Sequence, residues 1–166
     1  MYWSANEPTA LFWARMAYLG VPFIPVALYH FTLTLFGKLA GRSIQITAAW
    51  AVGGIFSVAF ITTDWLLPGL YLYDWGYYTR YEAETIPFLF FFFFLLASSV
   101  RHYVIEAKKY PVNHERERSR ILLAASVIGH IGVVDFLPSL GVEIFPFGFV
   151  GIAGYLTLVW YAITRF

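Results

Sequence analysis

Long apolar runs separated by short polar clusters dominate the chain, and their lengths decide what they are. The hydrocarbon core of a bilayer is about 30 Å thick and takes roughly 20 apolar residues as a helix. Five stretches meet that requirement, at about 10–36, 43–67, 86–107, 119–138 and 145–166. The pattern predicts an all-α integral membrane protein, one domain over residues 1–166 with five transmembrane helices. Ahead of the first run, Ser4-Ala5-Asn6-Glu7-Pro8 places a capping side chain before an acid and a proline, as a helix start requires. Pro22 and Pro25 inside that run each remove a backbone donor, so a kink is expected there. Arg15 near its start, its length and the lack of a small-residue cleavage pattern argue against a signal peptide. Ser119 or Asn113 is placed to cap the fourth run.

Composition supports the same solvent. Hydrophobic residues make up 60% of the chain, aromatics 21%, and charged residues only 13%, where a water-facing domain carries about a quarter. There is no cysteine, which excludes disulfides and thiolate metal sites. A net charge of +1 excludes nucleic acid as an obvious partner. The charges are unevenly spread, however. Nine of the 11 Lys and Arg fall on one side of the five-span arrangement, and Arg15 and Arg80 on the other with most of the acids. By the excess of basic residues in cytoplasmic loops, the N-terminus is expected outside and the C-terminus inside, in a bacterial inner membrane.

Ionisable groups at membrane depth raise a functional question by default. Arg15, Asp64 and Asp135 all lie near the outer ends of their spans. They suit either ion pairs between helices or a small outward-facing ligand pocket. His30 and His130 are the mid-span imidazoles and the candidates for haem or pigment ligation, although a lone membrane histidine more commonly bonds a neighbouring helix. No cofactor is expected, and without an HExxH, GxSxG, Walker or GxGxxG pattern in a suitable context, neither is an enzyme.

Candidate contact surfaces are aromatic. The outer connection holds Tyr71, Tyr73, Trp75, Tyr77, Tyr78 and Arg80, which fit either a belt at the headgroups or a recognition surface. Phe90, Phe91, Phe92, Phe93 and Phe94 surround the third span, toward lipid or an apolar neighbour. Ala49, Gly53 and Ser57 in the second span, and Gly148, Gly151 and Gly154 in the fifth, form small-residue stripes where another helix can approach closely.

Phe12-Trp13-Ala14-Arg15 with Tyr18-Leu19-Gly20, then Pro25-Val26-Ala27-Leu28-Tyr29-His30-Phe31, resembles the middle of the seven-helix membrane domain at the N-terminus of some bacterial sensor histidine kinases. Gly129 to Asp135, followed by Pro138, Gly141 and Phe145-Pro146-Phe147-Gly148, resembles that domain's last helix pair. The resemblance covers the last five of seven helices and implies a cytoplasmic C-terminus where a kinase would attach. No phosphoacceptor region or ATP-binding domain follows Arg165-Phe166 in this sequence. The expected role is therefore a non-catalytic accessory or structural subunit. It would pack against lipid and other integral membrane proteins of a respiratory or photosynthetic complex. The alternative is a stand-alone sensor module that binds a ligand at its outer face, and a pigment or hydrophobic ligand remains open.

Overall fold

The computed structural model describes residues 4, 6–109 and 114–165. The order is α1 (Glu7–Ala17), α2 (Phe23–Leu35), α3 (Ser43–Thr62), β1 (Gly69–Tyr73), β2 (Gly76–Arg80), α4 (Ile86–Lys109), α5 (His114–Gly129) and α6 (Gly148–Arg165). Short tight-helical segments cover Ala83–Thr85, His130–Phe136 and Pro138–Leu140. The helices over Ser43–Thr62, Ala83–Lys109 and Arg116–Leu140 are long and apolar enough to cross a membrane.

Where the first run was expected to kink, the helix breaks. Asn6 caps α1 by accepting from the Thr9 N–H at 3.0 Å. After α1 the chain turns through residues 18–22 on bonds to the third residue back, including Gly20 to Ala17 and Phe23 to Gly20. Pro22 and Pro25 have no N–H to donate, so the longer-range ladder cannot continue through them. The new helix, α2, ends in a glycine cap. Gly37, at a φ of 63°, donates to the Thr34 carbonyl, and Lys38 donates to Leu33. Only glycine takes that left-handed conformation without strain.

The fourth run also changes form. It is α-helical to Gly129 and then tightens over His130–Phe136, a longer stretch than tight helix ordinarily sustains. The change begins where the His130 ring takes the Ser126 carbonyl at 2.5 Å, four residues back. Ser119, expected as a cap, is buried within α5, and Asn113 lies outside the described residues.

The connection after α3 corrects the all-α expectation. It folds as an antiparallel hairpin, with Tyr73 paired to Gly76 across Asp74 and Trp75. Gly76 takes a φ of 126° to close it.

Three apolar clusters hold the bundle. Ala14, Tyr18, Phe60, Tyr81, Phe88 and Phe92 pack at the hairpin end, and Tyr18 stacks on Phe60 at 4.2 Å. Val26, Leu33, Ile46 and Leu95 join α2, α3 and α4. Tyr103, Leu122, Ala125, Val159 and Ala162 join α4, α5 and α6 at the opposite end.

The small-residue stripes meet helices of this same chain. A methyl on Gly53 would stand 3.3 Å from the Phe23 ring, and one on Gly151 would stand 2.8 Å from the Ile128 carbonyl. Around Gly54 there is open space. Gly151→Ala should cost about 1–3 kcal/mol through overpacking against backbone. Gly54→Ala should instead be neutral or stabilising by up to about 1 kcal/mol. Thermal unfolding of the two variants in one detergent checks the contrast.

Candidate functional site

The bundle encloses a cavity of about 570 Å³. One wall is α1 and α2, through Ala14, Tyr18, Val21, Ile24, Leu28 and Thr32. The facing wall is α5, its tight extension and α6, through Ser126, His130, Asp135, Phe136, Ile152 and Tyr155. Phe92, Leu96, Ser99 and Tyr103 of α4 form the floor, and Tyr78, Thr79 and Tyr81 close the hairpin end. Both interruptions of helix, at residues 18–22 and 130–136, border this space.

The polar groups at the hairpin end are mutually satisfied. Tyr18 and Tyr81 hydroxyls bond to each other, Tyr18 reaches Thr79 at 3.3 Å, and Thr79 meets Ser139 at 2.8 Å. The Tyr78 hydroxyl donates to the Asp135 carbonyl at 2.6 Å, and Tyr73 donates to the Pro138 carbonyl at 2.7 Å. The Tyr81 N–H donates to Ser139 O at 2.9 Å. Burial, then the adjacent Tyr18, holds the Tyr81 hydroxyl protonated well above the usual tyrosine range. For Tyr73 a smaller rise follows from partial burial, Tyr71 and Glu143.

Among the described residues, one buried polar atom in a cavity-lining side chain, His130 Nε2, has no hydrogen-bond partner, whereas the Tyr103 hydroxyl stands beside those of Thr32 and Tyr155. An unpaired buried polar group costs about 1–3 kcal/mol.

The three ionisable residues expected to share one depth divide. Arg15 and Asp64 form an ion pair, with Arg15 24% and Asp64 83% exposed in their side chains. Such an exposed pair contributes about 0–1 kcal/mol. Asp135 does not pair with Arg15; its Oδ1 accepts the Gly148 N–H at 2.7 Å and so caps α6. It lines the cavity, whereas Arg15 and Asp64 do not.

The histidines also separate. His30 accepts from Trp50 Nε1 at 3.4 Å between α2 and α3 and does not line the cavity, while His130 does. Among the described residues no group of three His, Cys, Asp or Glu stands together as a metal site.

Burial sorts the aromatic contact candidates. Phe90 and Phe94 are exposed and stack on each other, and Phe93 is partly exposed. Phe92 is 5% exposed and packs on Phe136, and Phe91 packs against the second cluster, so neither offers a surface to a partner. Tyr78 is likewise buried. Trp75 stacks on Tyr73 at 5.0 Å and meets Phe145 edge-on, which fastens the hairpin to the bundle. Tyr71 packs beside Tyr73, Tyr77 pairs with Leu72 in the ladder, and Arg80 pairs with Glu82 at 2.9 Å.

A cluster not anticipated lies at the end opposite the hairpin. Glu106, 2% exposed, is held by Lys38 at 2.5 Å and Lys109 at 3.8 Å. Beside it, Arg42 Nη1 donates to His102 Nε2 at 2.9 Å. The available signal was a lone acid, Glu106, close to Lys108 and Lys109 on the basic side.

The chain is therefore mostly helical, with helices suited to a membrane and a polar-rimmed apolar cavity among them. No family model, curated protein or solved structure matches it. Removing the cap should matter more than removing the exposed pair. Asp135→Ala should destabilise by about 1–2 kcal/mol through loss of the Gly148 bond, and Asp64→Asn by less than about 1 kcal/mol. Denaturation of both variants tests this.

Proposed function

We propose that the chain is a non-catalytic membrane module that binds an apolar small molecule in the cavity between its α1–α2 and α5–α6 walls. One observation carries the reading: a space of about 570 Å³ bordered by both interruptions of helix. That volume is in the range of small-molecule sites, which are largely apolar with a few convergent polar groups. Both interruptions place side chains on this space, Tyr18 and Val21 from the first and His130, Val133, Asp135 and Phe136 from the second. Ile24, Ile152 and Leu156 line the space and are exposed, which supports entry of a lipophile sideways from the bilayer.

Its setting is proposed as a bacterial inner membrane crossed five times, with the N-terminus and hairpin outside and the C-terminus in the cytoplasm. The uneven charge supports this, and α6, at 18 residues, reaches about 27 Å. The resemblance to the last five helices of a sensor kinase membrane domain supports a sensing role through a separate partner. A second reading is the accessory subunit of a larger membrane complex, supported by the exposed Phe90 and Phe94 on α4.

Ala27 lines the cavity from an exposed position on α2, so a larger side chain there fills the opening without entering a core cluster. Ala27→Trp should weaken uptake of a fluorescent fatty-chain probe at least tenfold while the thermal midpoint stays within a few degrees. Unchanged uptake would remove the cavity from the account. Orientation is tested separately, because the chain has no native cysteine. On intact cells, an impermeant maleimide should label Asp74→Cys, whereas Lys108→Cys should label only after permeabilisation.

A further inference from the structure

The cavity's polar atoms narrow the chemistry of what it holds, given the binding role proposed above. The Ser126 carbonyl can only accept, so the His130 Nδ1 within 2.5 Å of it carries the ring proton. In the neutral ring Nε2 is then a bare acceptor, and it is buried without a partner. The missing partner must donate. Tyr103, 2% exposed, has its hydroxyl beside those of Thr32 and Tyr155, so it places no such demand on the occupant.

Charge constrains the occupant as well. Among the described residues no Lys or Arg lines the cavity, and Asp135 is the one carboxylate that does. An anionic headgroup would meet a carboxylate and no cation. Asp135 Oδ1 is already engaged by the Gly148 N–H. Along α4 the lining runs from Phe92 to Tyr103, about 17 Å at the helical rise. The space is long and apolar, and His130 lines it with Nε2 unmet.

We infer that the cavity takes an uncharged single-chain lipophile whose hydroxyl donates a hydrogen bond to His130 Nε2. A hydroxyl satisfies His130 as donor and keeps an acceptor lone pair for a second group. An ester, ether or ketone offers no donor and leaves Nε2 unpaired. An alkane fills the apolar length and likewise leaves Nε2 unpaired.

The test compares dodecanol with dodecyl methyl ether, which share the chain and differ in the donor. The full-length protein in mild detergent is exposed to each, and retained mass is read by native mass spectrometry. Dodecanol should be retained at a concentration at least tenfold lower than the ether. His130→Phe should bring the two within about twofold of each other while both are still retained. Equal retention by the unaltered chain overturns the hydroxyl assignment and leaves the cavity's binding role standing. Retention of neither compound overturns that role too. A persisting tenfold preference in His130→Phe overturns the assignment to His130. The comparison on the unaltered chain decides the ligand class even if the variant does not fold.

Discussion

A peptide group inside hydrocarbon must find its hydrogen bond within the protein, because each one left unmet costs several kcal/mol. Among the described residues, the two interruptions of helix at 18–22 and 130–136 are arranged around that constraint. The bonds of residues 18–22 to the third residue back keep most of the break between α1 and α2 supplied. The tight helix over His130–Phe136 does the same after α5. Where the chain leaves helix altogether, the hairpin supplies its own ladder and then gives hydroxyls from Tyr73 and Tyr78 to carbonyls in the 135–138 stretch. The two breaks and the hairpin are thus one assembly. They share Tyr18, Thr79, Tyr81 and Ser139 as common members.

That assembly also explains why a cavity is present instead of a close-packed seam. α5 and α6 approach tightly because Gly151 and Gly154 leave room for Ile128. α2 and α3 approach because Gly53 leaves room for Phe23. Between these two tight pairs the walls meet only at their ends. Phe31, Leu35 and Phe36 join the third cluster at one end, and the tyrosine and threonine network closes the other. The middle is left to Val21, Leu28, Val133 and Leu156, side chains that line a gap without filling it.

Much of the helical plan was legible in residue order, because the period and length of apolar runs report directly on burial in lipid or core. The start of α4 at Ile86 coincides with the expected third span, and Asn6 caps as its side chain suggested. The hairpin was not read, although Gly69, the Asp74–Trp75 turn and Gly76 delimit two short tyrosine-rich runs. Its tyrosines were weighed as belt or recognition surface because side-chain chemistry suits both. What decided their place was their hydroxyls reaching carbonyls some sixty residues away. The Phe run shows a second limit. Five identical residues carry no periodic signal, so only packing could turn Phe92 inward and Phe90 outward. The pairing of Arg15 with Asp64, and not with Asp135, was likewise undetermined by depth. Asp135 was drawn off by the free N–H at the start of α6, a partner invisible to a count of charges.

The remaining link is α4, which touches both the cavity and the basic end. Phe92, Leu96, Ser99 and Tyr103 lie along one of its faces at spacings of three and four, all toward the cavity. His102 and Glu106 follow on the same helix and hold Arg42 and Lys38 of the connection between α2 and α3. Glu106 is buried, so its carboxylate depends on Lys38 and Lys109 for compensation, and loss of Lys38 leaves it only the longer pair with Lys109 at 3.8 Å. A shift or rotation of α4 caused by an occupant against Tyr103 would therefore move a strongly held ionic cluster within one helical turn of it. An exposed ion pair such as Arg15 with Asp64 could absorb the same motion at little cost. On the binding role proposed above, the contrast between these two pairs favours the basic end over the Arg15 side as the place that responds to an occupant.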